Sequence, residues 1–216
     1  MAVRKVSNRG GNIIGYFPSL KMGRMIAFES SIERDLIHVL DFEQEVTWFA
    51  EQPVIIVYQH EGKRCTYTPD FHLWRNGQSV LVECKPEGRV QIAENQRKFS
   101  AARAWCAAQG CTFEVITDRQ LRTGYRLQNI KLLTQFARYD IGPGIQRRIR
   151  TCLSTAAAPM TVTDVMVQVA TPKPQTALIP ILYMAFHHRL WMPLDPVPIS
   201  VGSLIALSSP SNGGAA

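Results

Sequence analysis

The sequence predicts an α/β fold, with a mixed sheet flanked by helices and then a small C-terminal helical, winged-helix-like region. Three observations support this class. Apolar residues recur at helical spacing on both sides of a central set of strand-like runs. The pair Asn76-Gly77, a strong short signal for a β-hairpin, joins two of these runs. A Gly-Pro-Gly break at 142–144 separates this part from three further helical stretches.

The first domain is predicted over residues 1–141, and it begins with an arm rich in Gly, Ser and basic residues. The arm contains two short strand pieces, Ile13 to Phe17 and Met25 to Phe28. The elements that follow are expected at about 30–41 (helix), 54–58, 64–67, 70–75 and 79–85 (strands), 89–109 (helix), 112–116 (strand) and 118–138 (mostly helical).

The second domain is predicted over residues 142–207, and a disordered tail rich in Ser, Gly and Ala over 208–216. Three helices followed by two extended pieces form the outline of a winged helix-turn-helix. We expect this domain to contact protein or DNA and to carry no catalytic residue. Its elements are expected at about 145–156, 161–169 and 174–189 (helices) and at 190–194 and 199–207 (strands).

Composition narrows the class of protein. The net charge is +7 and the isoelectric point is about 9.4, a basic excess that favours anionic partners such as nucleic acid. The sequence has neither an apolar run long enough to cross a membrane nor the apolar stretch of a secretory signal. Five cysteines without paired metal-ligand spacing are expected to be reduced thiols. We therefore expect a cytoplasmic location and no membrane partner.

Three charged residues around the predicted hairpin form a candidate active site. Asp70 follows a proline, Glu83 comes thirteen residues later, and Lys85 two after that, in the pattern Pro-Asp-x12-Glu-x-Lys. Residues two apart on a strand point to the same side, so Glu83 and Lys85 share a face while Cys84 faces the core. The hairpin folds the two strands together, which allows Asp70 and Glu83 to converge.

These residue types suit the hydrolysis of phosphodiesters. Two neighbouring carboxylates bind a hard cation such as Mg²⁺, which polarises the phosphodiester and activates water. A lysine beside them can stabilise the nucleophile or the charge that develops on the phosphate. Charged residues at strand ends are also common on solvated faces. Glu83 and Lys85, however, end the apolar run 80–82, where unpaired charge is costly.

Three further residues are weaker candidates. Glu33, on the first predicted helix, could supply another carboxylate, although glutamate is ordinary on a helix surface. Gln96 and Lys98, on the helix after the motif, could reach DNA phosphates, or they could belong to an ordinary helix surface.

Four segments occur in an order and at spacings that are typical of one protein family. They are GYFPSLKMGRMIAFESSIERD at 15–35, EQP at 51–53, YTPDF at 67–71 and LVECKP at 81–86. With them the chain resembles TnsA, the endonuclease subunit of heteromeric Tn-seven-like bacterial transposons, over about residues 5–120.

The resemblance implies a core like that of type II restriction endonucleases, and an Mg²⁺-dependent endodeoxyribonuclease activity. It also implies that Glu33, Asp70, Glu83 and Lys85 are catalytic. Glu29 is the rival for the carboxylate on the helix, but the Ser-x-x-Glu pattern of the family favours Glu33.

The resemblance further implies a metal and a set of partners. We expect Mg²⁺, which Mn²⁺ can replace, to bind Asp70, Glu83, Glu33 and the backbone carbonyl of Cys84. The expected substrate is DNA at the transposon ends, where the non-transferred strand is cut at the 5′ ends. The expected partners are a TnsB-like transposase, which cuts and joins the 3′ ends, and a TnsC-like AAA+ regulator.

Two alternatives remain open on the sequence. The chain could be a restriction or repair nuclease that acts alone, in which case it would cut DNA unaided. It could also be a non-catalytic DNA-binding or assembly module with a relic nuclease core, which the intact Asp70, Glu83 and Lys85 oppose.

Overall fold

The computed structural model describes residues 13–208, and these divide between two compact units. The first unit extends to Thr123 and the second begins at Gly124. The start of the predicted N-terminal arm and nearly all of the predicted tail at 208–216 lie outside the described residues.

The first unit alternates strands and helices. Its helices are α1 (Ser31–Phe42), α2 (Ala93–Gln109) and the short α3 (Asp118–Arg122). Its strands are β1 (Gly15–Pro18), β2 (Met25–Phe28), β3 (Val46–Glu51), β4 (Ile56–His60), β5 (Lys63–Tyr67), β6 (Phe71–Arg75), β7 (Gln78–Lys85) and β8 (Thr112–Thr117).

A mixed sheet of four strands, in the order β3-β6-β7-β8, forms the centre of the first unit. Strands β3, β6 and β7 are antiparallel neighbours, whereas β8 runs parallel to β7 after the crossover through α2. The pairs β1-β2 and β4-β5 form separate two-stranded sheets. The predicted fold class, a mixed sheet flanked by helices as in restriction-endonuclease-like proteins, is confirmed.

Each face of the central strand β7 contributes to a different hydrophobic core. Val80, Val82 and Cys84 pack in the cluster that contains residues of α1, β1 and β2. Leu81 belongs to a second cluster with residues of α2, β4 and β5. Because neighbouring residues of a strand point to opposite faces, α1 and α2 cover opposite sides of the sheet. Within these two clusters, Cys84 is the last residue that β7 contributes.

The second unit consists of helices and a small sheet. Its helices are α4 (Arg126–Thr134), α5 (Pro143–Ser154), α6 (Val162–Val169) and α7 (Leu178–Phe186). Its strands are β9 (Met160–Thr161), β10 (Leu190–Trp191) and β11 (Leu204–Leu207), paired antiparallel in the order β10-β11-β9. No helix in the described part of the chain has the length and apolar character needed to cross a bilayer.

The chain order from α5 to β11 is that of a winged helix. Three helices, α5, α6 and α7, alternate with short strands that form one antiparallel sheet. Ile199 to Leu207, predicted as a strand, pairs in this sheet only over β11 and does not extend the nuclease sheet. The winged-helix-like part of the predicted fold class is therefore present.

The second unit begins earlier than the Gly-Pro-Gly break at which the sequence analysis divides the chain. Helix α4 belongs to this unit, because the Asn129 amide donates to the carbonyls of Leu194 (2.7 Å) and Val197 (2.9 Å). Gly142 is the N-cap of α5 and Pro143 its first residue, a usual place for proline. The break therefore starts a helix and does not separate the two units.

Candidate active site

Strand β7 carries two of the candidate residues to the edge of the core. Glu83 is buried, with 3% of its surface exposed, and the side chain of Lys85 is 25% exposed. The Lys85 ammonium forms an ion pair with Oε1 of Glu83. The two residues share a face because they are two apart on the strand, and they end a run of apolar residues.

Asp70 lies immediately before β6, on the strand that pairs with β7. Phe71 pairs with Val82, so one step further along the hairpin Asp70 comes beside Glu83. The backbone N–H of Cys84 donates to Oδ2 of Asp70 at 2.7 Å, and the N–H of Gln52 donates to the Asp70 carbonyl at 2.8 Å. Backbone groups of two neighbouring segments therefore fix the position of Asp70.

Tyr67 is a further residue of the candidate site, and the sequence analysis did not single it out. Its side chain is 6% exposed, and its hydroxyl donates to Oε2 of Glu83 at 2.6 Å. Burial and the charge of Glu83 raise the pKa of Tyr67, so the hydroxyl keeps its proton and remains a donor. The two oxygens of Glu83 are thus held by different partners, Oε1 by Lys85 and Oε2 by Tyr67. The available signal was the string YTPDF, which places Tyr67 three residues before Asp70.

Glu33 lies at the start of α1, where it helps to cap the helix. The Ser30 hydroxyl accepts from the Glu33 N–H at 3.1 Å and donates to Oε1 of Glu33 at 2.8 Å. The N–H of Glu29 donates to the other oxygen, Oε2, at 2.7 Å. This closely resembles a capping box, so helix capping alone would account for a glutamate here. Glu29 is held separately, by the side-chain amide of Gln52 at 3.1 Å.

The candidate residues line one cavity of about 980 Å³. Glu33, Asp70, Glu83 and Lys85 are all in its wall, with the rival Glu29. The wall contains five carboxylates and three cationic side chains, which gives it a formal charge of −2. A divalent cation would neutralise that charge.

Burial and the charges in the cavity shift the pKa values of its ionisable side chains. Burial, followed by the charges of Glu83 and Glu33, raises the pKa of Asp70 well above its usual value. Burial also raises the pKa of Glu33, and the charges of Glu29 and Glu83 add to the effect. For Lys85, burial lowers the pKa, but the neighbouring carboxylates outweigh it and raise the pKa overall. Lys85 is therefore a cation at neutral pH.

The two candidate phosphate-binding residues on α2 are placed differently. Lys98 is in the wall of the cavity and forms an ion pair with Glu94, 2.5 Å away. Gln96 lies in another groove with Tyr58, and its side-chain amide donates to the Val90 carbonyl at 2.8 Å. The structure thus brings Lys98 to the site and leaves Gln96 outside it.

Asp70 and Glu83 are the side chains most suited to hold a hard cation, because both present carboxylate oxygens to the cavity. Within residues 13–208, however, no group of three or more His, Cys, Asp or Glu side chains is placed to hold a metal ion. Both oxygens of Glu33 accept hydrogen bonds at the helix start. Both oxygens of Glu83 are likewise engaged, by Lys85 and Tyr67. The whole expected ligand set of Asp70, Glu83, Glu33 and the Cys84 carbonyl therefore stays a prediction.

The segment that carries the candidate site is similar to a known type of domain. The sequence profile of the TnsA-like endonuclease N-terminal domain matches residues 43–118. This segment begins just before β3, ends at the start of α3, and contains Asp70, Glu83 and Lys85. This part of the chain is therefore similar to TnsA-like endonucleases. The corresponding comparison with curated proteins found no match.

Proposed function

We propose that this protein is an Mg²⁺-dependent endodeoxyribonuclease of the TnsA type. The observation that carries the proposal is the convergence of Asp70, Glu83 and Lys85 in one cavity, within the segment similar to TnsA-like endonucleases. Its substrate would be DNA at the ends of a transposon, where it would hydrolyse the non-transferred strand at the 5′ ends. It would act in the bacterial cytoplasm, at the nucleoid.

In this proposal, Asp70 and Glu83 hold the metal together with the carbonyl of Cys84, and Glu33 is the further candidate ligand. The chemistry that bound Mg²⁺ supplies is Lewis acidity toward the phosphodiester and toward the attacking water. Mn²⁺ would serve in its place.

The chain's own side chains orient the reaction in the proposed mechanism. The Lys85 ammonium faces the carboxylate of Glu83, from where it would stabilise negative charge that develops on the scissile phosphate. Asp70 is fixed by the backbone N–H of Cys84, so little reorganisation is needed during the reaction. Lys98, in the same cavity wall, would bind a neighbouring phosphate of the same DNA.

The proposed partners follow from the TnsA resemblance. A TnsB-like transposase would bind the transposon ends and act on the 3′ strands, and a TnsC-like AAA+ protein would regulate the assembly. The apolar composition of α7, LIPILYMAF, leaves few polar groups for reading bases. A competent nuclease with little sequence specificity of its own would need partners to position it.

The test is to map the cuts made in end-containing and scrambled duplexes, with and without a TnsB-like transposase. We expect efficient cutting of the 5′ ends only when the transposase and the end sequence are both present. Efficient, end-specific cutting by this chain alone would refute the transposase-dependent role and favour a nuclease that acts alone. Absence of Mg²⁺-dependent cutting under every condition would favour the alternative of a non-catalytic DNA-binding or assembly module with a relic nuclease core.

A further inference from the structure

The positive charge of the protein is concentrated in the second unit. Residues 124–208 contain eight Lys and Arg and three Asp and Glu, a net charge of +5. Residues 13–123 contain thirteen basic and fourteen acidic residues, a net charge of −1. Long-range attraction of a polyanion therefore comes mainly from the second unit, and the unit that carries the candidate active site contributes little.

Helix α5 presents the densest group of these charges. Arg147, Arg150, Thr151 and Ser154 are all exposed and follow the spacing i, i+3, i+4, i+7, which places them on one side of the helix. We call these four residues the α5 basic face. Among the described residues, no hydrogen bond or ion pair engages the side chain of Arg147 or Arg150. Both guanidinium groups are therefore available to a ligand.

A groove of about 580 Å³ runs beside the α5 basic face, and its lining includes Gly144, Arg148 and Gln168 together with the apolar Val169. Arg148 also donates from Nε to the Val169 carbonyl at 3.1 Å, at the end of α6. No aromatic residue is among the described residues that line the groove, whereas aromatic side chains are enriched at protein interfaces. Guanidinium groups suit phosphate oxygens, which they can bind through two parallel N–H donors.

The helix that usually reads DNA in this type of domain is not available for that purpose. In helix-turn-helix proteins the recognition helix enters the major groove with polar side chains. Here the corresponding helix, α7, is part of the core: Ile181 and Met184 are fully buried, and Leu182, Ala185 and Phe186 are also buried. Tyr183 is the one residue of α7 whose side chain carries a polar group. DNA contact by this unit must therefore use another surface.

We propose that the α5 basic face binds the phosphate backbone of duplex DNA, independently of sequence. The surface anchors the nuclease to DNA through α5 and not through α7. This inference rests on the proposed function only in taking DNA as the partner, because the surface lies outside the candidate active site. It assigns to the second unit the long-range electrostatic attraction that the nearly neutral first unit does not supply.

The test compares two variants of the full chain that each lose two positive charges. Arg147→Gln/Arg150→Gln changes the α5 basic face, and Arg103→Gln/Arg119→Gln changes exposed arginines of the first unit. Binding to a random-sequence duplex is measured by fluorescence anisotropy over a salt series, with EDTA present. Because no cutting occurs, the result does not depend on the proposed nuclease activity.

We expect the α5 variant to bind about tenfold more weakly, and its plot of log K against log salt to be shallower by about 1.8. The first-unit variant should stay close to wild type, and Arg147→Lys/Arg150→Lys should restore most of the affinity. Equal affinity and slope for the two Gln variants would overturn the proposal. Binding to poly-glutamate is measured in the same way. The proposal would also be overturned if the α5 variant kept its affinity for DNA but lost its affinity for poly-glutamate, because the α5 basic face would then suit an acidic protein.

Discussion

At the scale of single residues, the carboxylate of Glu83 has a partner on each of its two oxygens. Lys85 pairs with one oxygen and the Tyr67 hydroxyl donates to the other at 2.6 Å. Outer hydrogen bonds of this kind orient a carboxylate toward a metal, and their loss typically lowers metal affinity about 10–100-fold. Tyr67→Phe should therefore weaken Mn²⁺ binding about tenfold, measured by calorimetry or by the EPR signal of free Mn²⁺.

Tyr58→Phe is the matched control, because Tyr58 packs against the same hydrophobic cluster as Tyr67 but lies outside the cavity. We expect this control to bind Mn²⁺ as the wild type does. If Tyr67→Phe lowers the melting temperature but leaves the Mn²⁺ affinity unchanged, Tyr67 has a purely structural role.

The negative charge of Asp70 is expected to lower the free energy of unfolding of the metal-free protein. Burial and the charges of Glu83 and Glu33 raise its pKa, so the folded state binds the proton more tightly than the unfolded state does. The metal-free wild type therefore gains stability as pH falls from the raised pKa toward the ordinary value of 3.8. Asp70→Asn removes the charge and still accepts from the Cys84 N–H. In EDTA it should be about 1–2 kcal/mol more stable than wild type at about pH 8.

The advantage of Asp70→Asn should shrink toward about pH 4, because the wild-type carboxyl then takes up its proton. Thermal melts in EDTA at the two pH values measure the difference. A variant that is less stable than wild type at the higher pH would show that the Asp70 charge is well compensated without metal.

At the scale of elements, helix α2 separates the two predicted phosphate-binding residues. Gln96 and Lys98 are two positions apart, so their side chains project about 200° apart around the helix. Lys98 lies in the cavity wall and Gln96 in another groove. Lys98→Ala should lower DNA affinity about 3–10-fold and reduce the salt slope by about 0.9. Gln96→Ala should leave both unchanged, and equal losses in the two variants would contradict this placement.

Helices and strands whose apolar residues recur at regular spacing could be predicted from the sequence. Elements without such regular spacing could not. The helices α1 and α2 and the hairpin of β6 and β7 lie close to their predicted positions, because capping and turn signals bound them. Strand β3 is absent from the sequence prediction. A register shift between Val46 and Trp48 interrupts its alternation of buried and exposed residues.

The positions of Asp70, Glu83 and Lys85 could be predicted from the sequence because they follow from the geometry of a β-hairpin. The alternation along β7 was enough to place Glu83 and Lys85 on one face, and the hairpin brought Asp70 toward them. The contact between Tyr67 and Glu83 was not predictable, because β5 belongs to a separate two-stranded sheet. Only tertiary packing, which no local pattern records, brings that sheet against β7.

At the scale of the whole molecule, the boundary between units shows the limit of local signals. The Gly-Pro-Gly break marked the predicted domain boundary, yet it starts α5 within the second unit. Asn129 ties α4 to that unit through bonds to Leu194 and Val197, 65 and 68 residues further along the chain. The local spacing of apolar residues does not indicate contacts between residues so far apart in the sequence.

The charge distribution gives the two units different tasks in this account. The first unit supplies a cavity with a formal charge of −2, which suits a divalent cation but repels DNA in its absence. The second unit supplies most of the positive charge. The long-range attraction of DNA is therefore expected to depend mainly on the second unit, with Lys98 as a local phosphate contact of the first unit, whereas competence to cut is expected to depend on the carboxylates of the cavity.

The most direct test of the central claim is the cleavage of end-containing DNA by wild type and by Asp70→Ala. Each is assayed with the transposase partner, in Mg²⁺ and in EDTA, after melting curves show that the variant is folded. We expect the wild type to cut in Mg²⁺ and not in EDTA, and we expect Asp70→Ala to lose at least about 10³-fold in rate. Cutting at the wild-type rate by folded Asp70→Ala, or wild-type cutting that persists in EDTA, would contradict it.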